Sequence, residues 1–251
     1  MPRFFLTEGL APDADTLTLR GEDARHIALS LRMRVGDGVT VSDGAGTDYR
    51  CRLAAITPEE VTAEVLSHGR AVTEPPLAIH LYMGYPKGDK LELVIEKAVE
   101  LGACSVTPFL SSRCVRRPSG EKAERQRERY GRIARAAAGQ CGRGILPTVG
   151  ETLSFEGMLK AATSAELALF FYEGEGTAPL PAVLSGRELP RSVAVIIGSE
   201  GGFSPEEAEA ARAAGAVPVG LGPRILRCET APLMALSCLA YAFELRQTHE
   251  K

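Results

Sequence analysis

Residues 193–207 read Val193-Ala-Val-Ile-Ile-Gly-Ser-Glu-Gly-Gly-Phe-Ser-Pro-Glu-Glu207, and this stretch decides the fold. An unbroken apolar run bounded by turn residues is the mark of a strand buried on both faces. Gly198 ends the run, Gly201-Gly202 turns the chain, and Ser204-Pro-Glu-Glu opens a helix. Serine serves as N-cap, proline takes the first helical position, and Glu207 completes a capping box. A buried strand feeding straight into a capped helix is one unit of a mainly parallel sheet. Glycine lets a ligand approach the backbone closely, and open α/β sheets bind ligands at the carboxyl ends of their strands. A plain strand–helix loop would carry the same glycines, but it gives no reason for Glu200 inside the loop. The stretch is neither the G-x-G-x-x-G of a dinucleotide site nor a Walker A loop.

Outward from this unit, strand–helix alternation continues back to Pro76 and on to the C-terminus. Predicted strands are Leu77–Gly84, Ser105–Leu110, Leu167–Tyr172, Val193–Gly198 and Ala216–Gly220. Predicted helices are Lys90–Leu101, Glu121–Gln140, Ser154–Ala162, Pro205–Ala214 and Thr230–Gln247. In the first helix Leu91, Val94, Ile95, Ala98, Val99 and Leu101 share one face. Residues 1–72 have a different grammar. Short period-two segments at Thr16–Arg20, Gly38–Ser42, Tyr49–Ala54 and Val61–Leu66, with one short helix over Glu22–Leu31, describe a small β-rich unit, read as a barrel. Glu74-Pro-Pro marks a linker over 73–76, and 77–251 forms the second domain.

A second glycine-rich bend, Val219-Gly-Leu-Gly-Pro-Arg-Ile-Leu-Arg-Cys-Glu-Thr-Ala231, precedes the last helix. Helix capping accounts for Glu229 or Thr230 but not for Arg224 and Arg227 beside the bend. Net charge is −3, which argues against indiscriminate nucleic-acid binding, yet between Arg113 and Arg143 ten Lys/Arg stand against three Glu. Paired charges on a solvated helix face would account for part of this. An excess that continues past both helix ends fits a phosphate-binding surface equally well. Arg25, Arg32 and Arg34 extend the basic character into the small unit, where His26 is read as structural. The six cysteines make no C-x-x-C pair and do not cluster with the four histidines, so no metal site is expected and the thiols are read as free. No apolar run spans a membrane and the start lacks the pattern of a signal peptide, so a cytoplasmic protein is expected.

In order along the chain, several segments resemble the RsmE-type family of 16S rRNA uridine-N3 methyltransferases, within the SPOUT superfamily. These are Met1-Pro-Arg-Phe-Phe5, His26 with Leu31-Arg-Met-Arg-Val-Gly-Asp37, Lys87-Gly-Asp-Lys-Leu-Glu-Leu-Val-Ile-Glu-Lys-Ala-Val-Glu-Leu-Gly102, Arg132-Ile-Ala-Arg-Ala-Ala-Ala-Gly-Gln140 and Ile145-Leu-Pro147, followed by Ile197–Ser204 and Leu221–Ala231. The last two are the most specific. This chain has Ser199 where the family usually has Pro, Cys228 where Thr is frequent, and fewer polar or basic residues around 139–144.

The resemblance implies an α/β protein: a C-terminal SPOUT domain, trefoil-knotted with a mainly parallel sheet, preceded by a small PUA-like β-barrel domain. It implies S-adenosyl-L-methionine as cofactor, 16S rRNA in the small ribosomal subunit as substrate, and a homodimer. The cofactor would lie against Ile197, Gly198, Glu200, Gly201 and Gly202, against Leu221, Gly222, Ile225, Leu226, Arg227, Glu229, Thr230 and Ala231, and against the strand end 169–173, including Leu169 and Tyr172. Glu200 is the candidate for orientation or base work, and Arg227 and Arg224 are candidates for stabilising the uridine anion or holding phosphate. RNA contacts are expected from Arg3, Arg25, Arg32, Arg34, Arg113, Arg116, Arg125, Arg132 and Arg143. The competing readings are a non-enzymatic RNA-binding assembly factor, which would need no cofactor loop, and a SPOUT enzyme with another RNA target.

Overall fold

The computed structural model describes residues 1–6, 14–118 and 120–245. The chain divides into two compact units: residues 1–74 with 138–146, and residues 75–137 with 147–251. The first break falls within the expected linker. The return of 138–146 to the first unit differs from the sequence expectation, since the whole of 77–251 reads as one strand–helix series.

Unit 1 is a five-stranded sheet of β1 (Arg3–Phe5), β2 (Thr16–Arg20), β3 (Gly38–Ser42), β4 (Thr47–Ile56) and β5 (Glu60–Arg70), in the order β1-β3-β4-β5-β2. All pairings are antiparallel except β1 with β3. β4 shifts register against β5 after Arg50 and after Leu53. Bulges of this kind bend and twist a strand, and the sheet curls over one core that includes Phe4, Leu17, Leu19, Ile27, Val39, Val41 and Leu53. The expected helix starts as α1 (Glu22–Arg25) and widens into a π-helical turn over His26–Ser30. His26 makes an edge-on ring contact with Phe4, in keeping with a structural role.

Residues 138–146 are stitched into this unit. Ser42 Oγ donates to Gly144 O at 2.7 Å, Leu146 N to Gly44 O at 3.0 Å, and Thr73 Oγ1 to Gly142 O at 2.6 Å. A buried ion pair completes the seam: Arg143 Nη2 lies 2.7 Å from Glu74 Oε2, with the arginine side chain only 5% exposed. Glu74 Oε1 also accepts from the backbone N–H groups of Gly144 and Ile145, at 2.8 and 3.0 Å. Burial alone would raise the Glu74 pKa, but the Arg143 hydrogen bonds and these two N–H groups outweigh it and hold the carboxyl below its ordinary range.

Unit 2 carries the parallel sheet. Its elements are β6 (Ala78–Gly84), α2 (Lys90–Glu100), β7 (Ala103–Leu110), α3 (Gly120–Cys141, whose last turn belongs to unit 1), β8 (Thr148–Val149), β9 (Leu153–Ser154), α4 (Phe155–Ala162) and β10 (Leu167–Phe171). They continue with β11 (Ala178–Pro179), α5 (Leu180–Leu184), β12 (Ser192–Ile197), α6 (Pro205–Ala213), β13 (Val217–Gly220) and α7 (Thr230–Ala240). The strand order is β11-β13-β10-β12-β6-β7-β8, every pairing is parallel, and β9 pairs beside the end of β7. β12 is central and its residues Val193 to Ile197 are all buried, as an unbroken apolar strand requires. After α7 the chain passes into a π-helical turn over Tyr241–Leu245, and the end predicted for this helix, at Gln247, lies outside the described residues. α7 comes back from outlying β13 to pack on α2 and β12. No helix among the described residues is long and apolar enough to cross a membrane.

Candidate active site

Three neighbouring parallel strands, β13, β10 and β12, end on one side of the sheet, and the loops after them enclose a cavity of about 550 Å³. That volume lies within the range of small-molecule sites, about 300–1,000 Å³. The first wall is the loop after β12. Gly202 N donates to Ser199 O at 2.9 Å, closing a tight turn, and Gly202 takes φ +63°, a conformation that suits glycine. Phe203 pins the far end of the loop in the core: its ring lies 4.3 Å from that of Phe170 and stacks parallel to Phe109 at 6.1 Å. The capping box then forms as expected, with Ser204 Oγ accepting from Glu207 N and Glu207 Oε2 accepting from Ser204 N. The second wall is the segment after β13, and the third is Phe171–Glu173, tied to β13 by Tyr172 N donating to Val219 O at 3.1 Å.

Of the expected cofactor contacts, Tyr172, Ile197, Gly198, Glu200, Gly202, Leu221, Gly222, Ile225, Leu226, Arg227 and Ala231 line the cavity, as does Arg224. Leu169, Gly201, Glu229 and Thr230 do not. Leu169 is fully buried in β10 and supports the wall from behind. Gly201 lies under Arg113, whose Nη1 donates to Gly201 O at 2.9 Å. Glu229 faces Lys90, with Nζ 3.2 Å from its Oε2. Ser199 Oγ, in the first wall, is buried and has no hydrogen-bond partner among the described residues. An unsatisfied buried hydroxyl is uncommon, and with less than 1 Å² accessible this one is closed off from the cavity.

Lys90, Glu173, Thr177 and Cys228 also line the cavity and do not stand out as individual site residues in the sequence. Lys90 stands at the start of α2, 110 residues before Glu200, and its Nζ lies 3.0 Å from Glu200 Oε1. Its only trace in the sequence is its place in the Lys87-Gly-Asp-Lys90 motif. Burial would raise the Glu200 pKa, but hydrogen bonds from its own backbone, from Lys90 and from the Lys87 N–H leave it lowered. A general base works best with a pKa near the operating pH, so these bonds suit Glu200 to orientation and not to proton abstraction. Burial and the neighbouring Glu229 carboxylate push the Cys228 thiol up to about 12. It stays protonated and donates to Glu229 Oε2 at 3.3 Å. Arg224 and Arg227 are exposed, with no side-chain hydrogen bond or ion pair among the described residues.

The nine expected RNA contacts fall into three groups. Arg25, Arg32 and Arg34 in unit 1 and Arg125 and Arg132 on α3 present exposed side chains. Arg113 and Arg116 are spent locally, Arg113 on Gly201 O and Arg116 on Gly88 O at 2.9 Å with its guanidinium over the Tyr85 ring. Arg3 and Arg143 are corrected. Arg3 is paired bidentately with Asp48, Arg143 is buried against Glu74, and both guanidiniums are committed inside unit 1. No group of three or more His, Cys, Asp or Glu among the described residues is arranged to hold a metal ion.

A parallel α/β sheet with glycine-lined loops at its strand ends, joined to a small curled β-sheet unit, defines a class. Residues 73–240 match the RNA methyltransferase domain and residues 19–66 the RNA methyltransferase PUA domain. The ribosomal RNA small subunit methyltransferase E of Bacillus subtilis is 36% identical, over 98% of both chains. The crystal structure of a ribosomal RNA small subunit methyltransferase E from Neisseria gonorrhoeae bound to S-adenosyl methionine superposes with a TM-score of 0.85 at 30% identity, over 97% of this chain and 98% of that one. A Legionella pneumophila protein solved with bound S-adenosylmethionine gives the same TM-score and identity, over 96% and 97% of the two chains. This chain belongs to the ribosomal RNA small subunit methyltransferase E family.

Proposed function

We propose that the chain is an S-adenosylmethionine-dependent methyltransferase of 16S rRNA whose target is N3 of a decoding-centre uridine in the small ribosomal subunit. The observation that carries this reading is the cavity at the ends of β10, β12 and β13. Its walls are rich in glycine and backbone, and the exposed guanidiniums of Arg224 and Arg227 stand on its lining with no partner among the described residues. Two family relatives of the same fold hold S-adenosylmethionine, which supplies an electrophilic methyl group when bound.

Uridine N3 carries a proton and becomes nucleophilic only as that proton passes to solvent water. Arg224 and Arg227, with no partner of their own among the described residues, are the groups that stabilise the developing anion or hold the adjoining phosphate. An arginine does not serve as the base, because it stays protonated in proteins. Glu200 positions the first wall. Because N3 lies on the Watson–Crick edge, the uridine enters unpaired or flipped. Arg125 and Arg132 on α3 and Arg25, Arg32 and Arg34 in unit 1 supply phosphate contacts. A homodimer is part of this reading, supported by the exposed apolar side chains of Ile225, Tyr241 and Leu245. The trefoil threading is part of it too, supported by the return of α7 to β12 and α2.

Position is tested by incubating the protein with S-adenosylmethionine and small subunits from cells lacking the modification, followed by primer extension. Methyl at N3 blocks base pairing, so extension is expected to halt at a single decoding-centre uridine. Incorporated methyl without such a stop would point to a ribose or another atom. No incorporation would favour an assembly factor that only binds RNA.

A further inference from the structure

The lysine at the start of α2 touches both cofactor-side walls at once. Its Nζ lies 3.0 Å from Glu200 Oε1, in the loop after β12, and 3.2 Å from Glu229 Oε2, at the end of the segment after β13. The Lys87 backbone N–H adds a bond to Glu200 at 3.1 Å, and Cys228 Sγ, itself bonded to Glu229, lies 3.8 Å from the ammonium. An ammonium has three donors, and here one faces each wall. The two carboxylates sit on either side of a single cation, within two hydrogen-bond lengths of each other. None of the three side chains is more than about a third exposed, at 31%, 30% and 19% for Lys90, Glu200 and Glu229. Like charges held so close in a partly dry site repel unless a counter-charge stands between them.

We propose that Lys90 is a positioning residue of the methyl-transfer reaction: its ammonium clamps the Gly198–Gly202 loop to the Leu221–Ala231 segment and sets the spacing of the walls between which S-adenosylmethionine lies. The inference rests on the cavity's being the cofactor site, but the clamp itself exists without the cofactor. The ammonium's pKa is raised by Glu200 and Glu229, and both carboxyls are lowered, burial notwithstanding. The sign is consistent. The lysine contribution is complete below its ordinary pKa, and the glutamate contribution is complete above theirs, so the clamp holds between roughly pH 5 and pH 10.

A clamp of one cation between two anions makes a prediction that a packing role for the lysine stem does not. In Lys90→Met the two carboxylates face each other, and the walls are pushed apart. Removing one charge, in Lys90→Met/Glu229→Gln, relieves the repulsion. Amide hydrogen exchange of the full chain without cofactor is expected to rise in both segments at once in Lys90→Met, by about tenfold or more, and to fall back in the double variant. Affinity for S-adenosylmethionine, by calorimetry, should follow the same order, with Lys90→Arg within about threefold of wild type. Exchange in Lys90→Met that matches wild type, or a double variant looser than the single one, would overturn the clamp. If Lys90→Met does not fold, Lys90→Arg decides: loop protection near wild type supports the clamp, and protection lost in both segments overturns it. Wild-type protein that fails to bind S-adenosylmethionine yet shows this exchange pattern would sink the cofactor reading and leave the clamp standing.

Discussion

Replacing Gly84 with alanine is expected to abolish cofactor binding and to destabilise unit 2. Gly84 is the last residue of β6, beside the turn that leaves β12. A Cβ there would stand 2.8 Å from the carbonyl carbon of Gly198 and closer still to the backbone nitrogen of Ser199. The obstacle is backbone, so no rotamer change relieves it, and the first wall must move as a body. Overpacking of this kind costs about 1–3 kcal/mol. The displaced loop would in addition lower affinity for S-adenosylmethionine by an expected 100-fold or more. Gly131 is the control. It lies inside α3, and a methyl group added there would meet nothing within 4 Å, so Gly131→Ala should leave binding unchanged and gain about 0.5–1 kcal/mol from helix propensity. Thermal denaturation and calorimetric titration of both variants check this. A Gly84→Ala protein with wild-type stability and affinity would show that the close approach of β6 to the loop is not as described.

The second large effect is on stability alone. Arg143→Ala leaves the Glu74 carboxylate buried without its counter-ion, a change that typically costs about 3–5 kcal/mol. Two backbone N–H groups still reach Glu74, which favours the lower end. RNA affinity measured well below the unfolding transition should be unchanged, because the guanidinium is buried against Glu74. Arg125→Ala is the opposite case. Its side chain is exposed, so stability should hold while the salt dependence of RNA binding falls by about one phosphate contact. The ion pair also makes the unit acid-labile. The folded pKa of Glu74 is depressed, so its contribution is present above the ordinary carboxylate range and is lost as pH falls through the folded value. Glu74→Gln should therefore differ from wild type at neutral pH, begin to converge with it as pH falls below the ordinary carboxylate range, and match it only below the depressed folded pKa. An Arg143→Ala protein as stable as wild type but weaker on RNA would return this arginine to the binding surface.

Local signals carry far in this chain. The capping box at Ser204 and Glu207, the apolar strand Val193–Ile197 and the face of α2 are each visible because the residues that cooperate lie within a few positions of one another. The glycine-rich loops are visible as candidate walls for the same reason. What stays hidden depends on partners far apart in the chain. The sign of Arg3 and Arg143 is plain in the sequence, but Asp48 and Glu74, which absorb them, stand 45 and 69 residues away. The role of Gly84 emerges only once β6 lies beside β12. Residues 138–146 begin in the last turn of the basic helix and run on through Gly142 and Gly144, and nothing local announces that they return to unit 1. Lys90 reads as an ordinary helix-surface lysine until two loops from the other end of the chain close around it.

The central claim, that the cavity between the strand ends holds the methyl donor, is tested most directly by calorimetric titration of the purified full chain with S-adenosylmethionine, with Arg227→Ala beside it. Saturable binding near one cofactor per chain, weakened in the variant, is the predicted result. A folded wild-type protein that takes up no S-adenosylmethionine, alone or with small ribosomal subunits present, would contradict it.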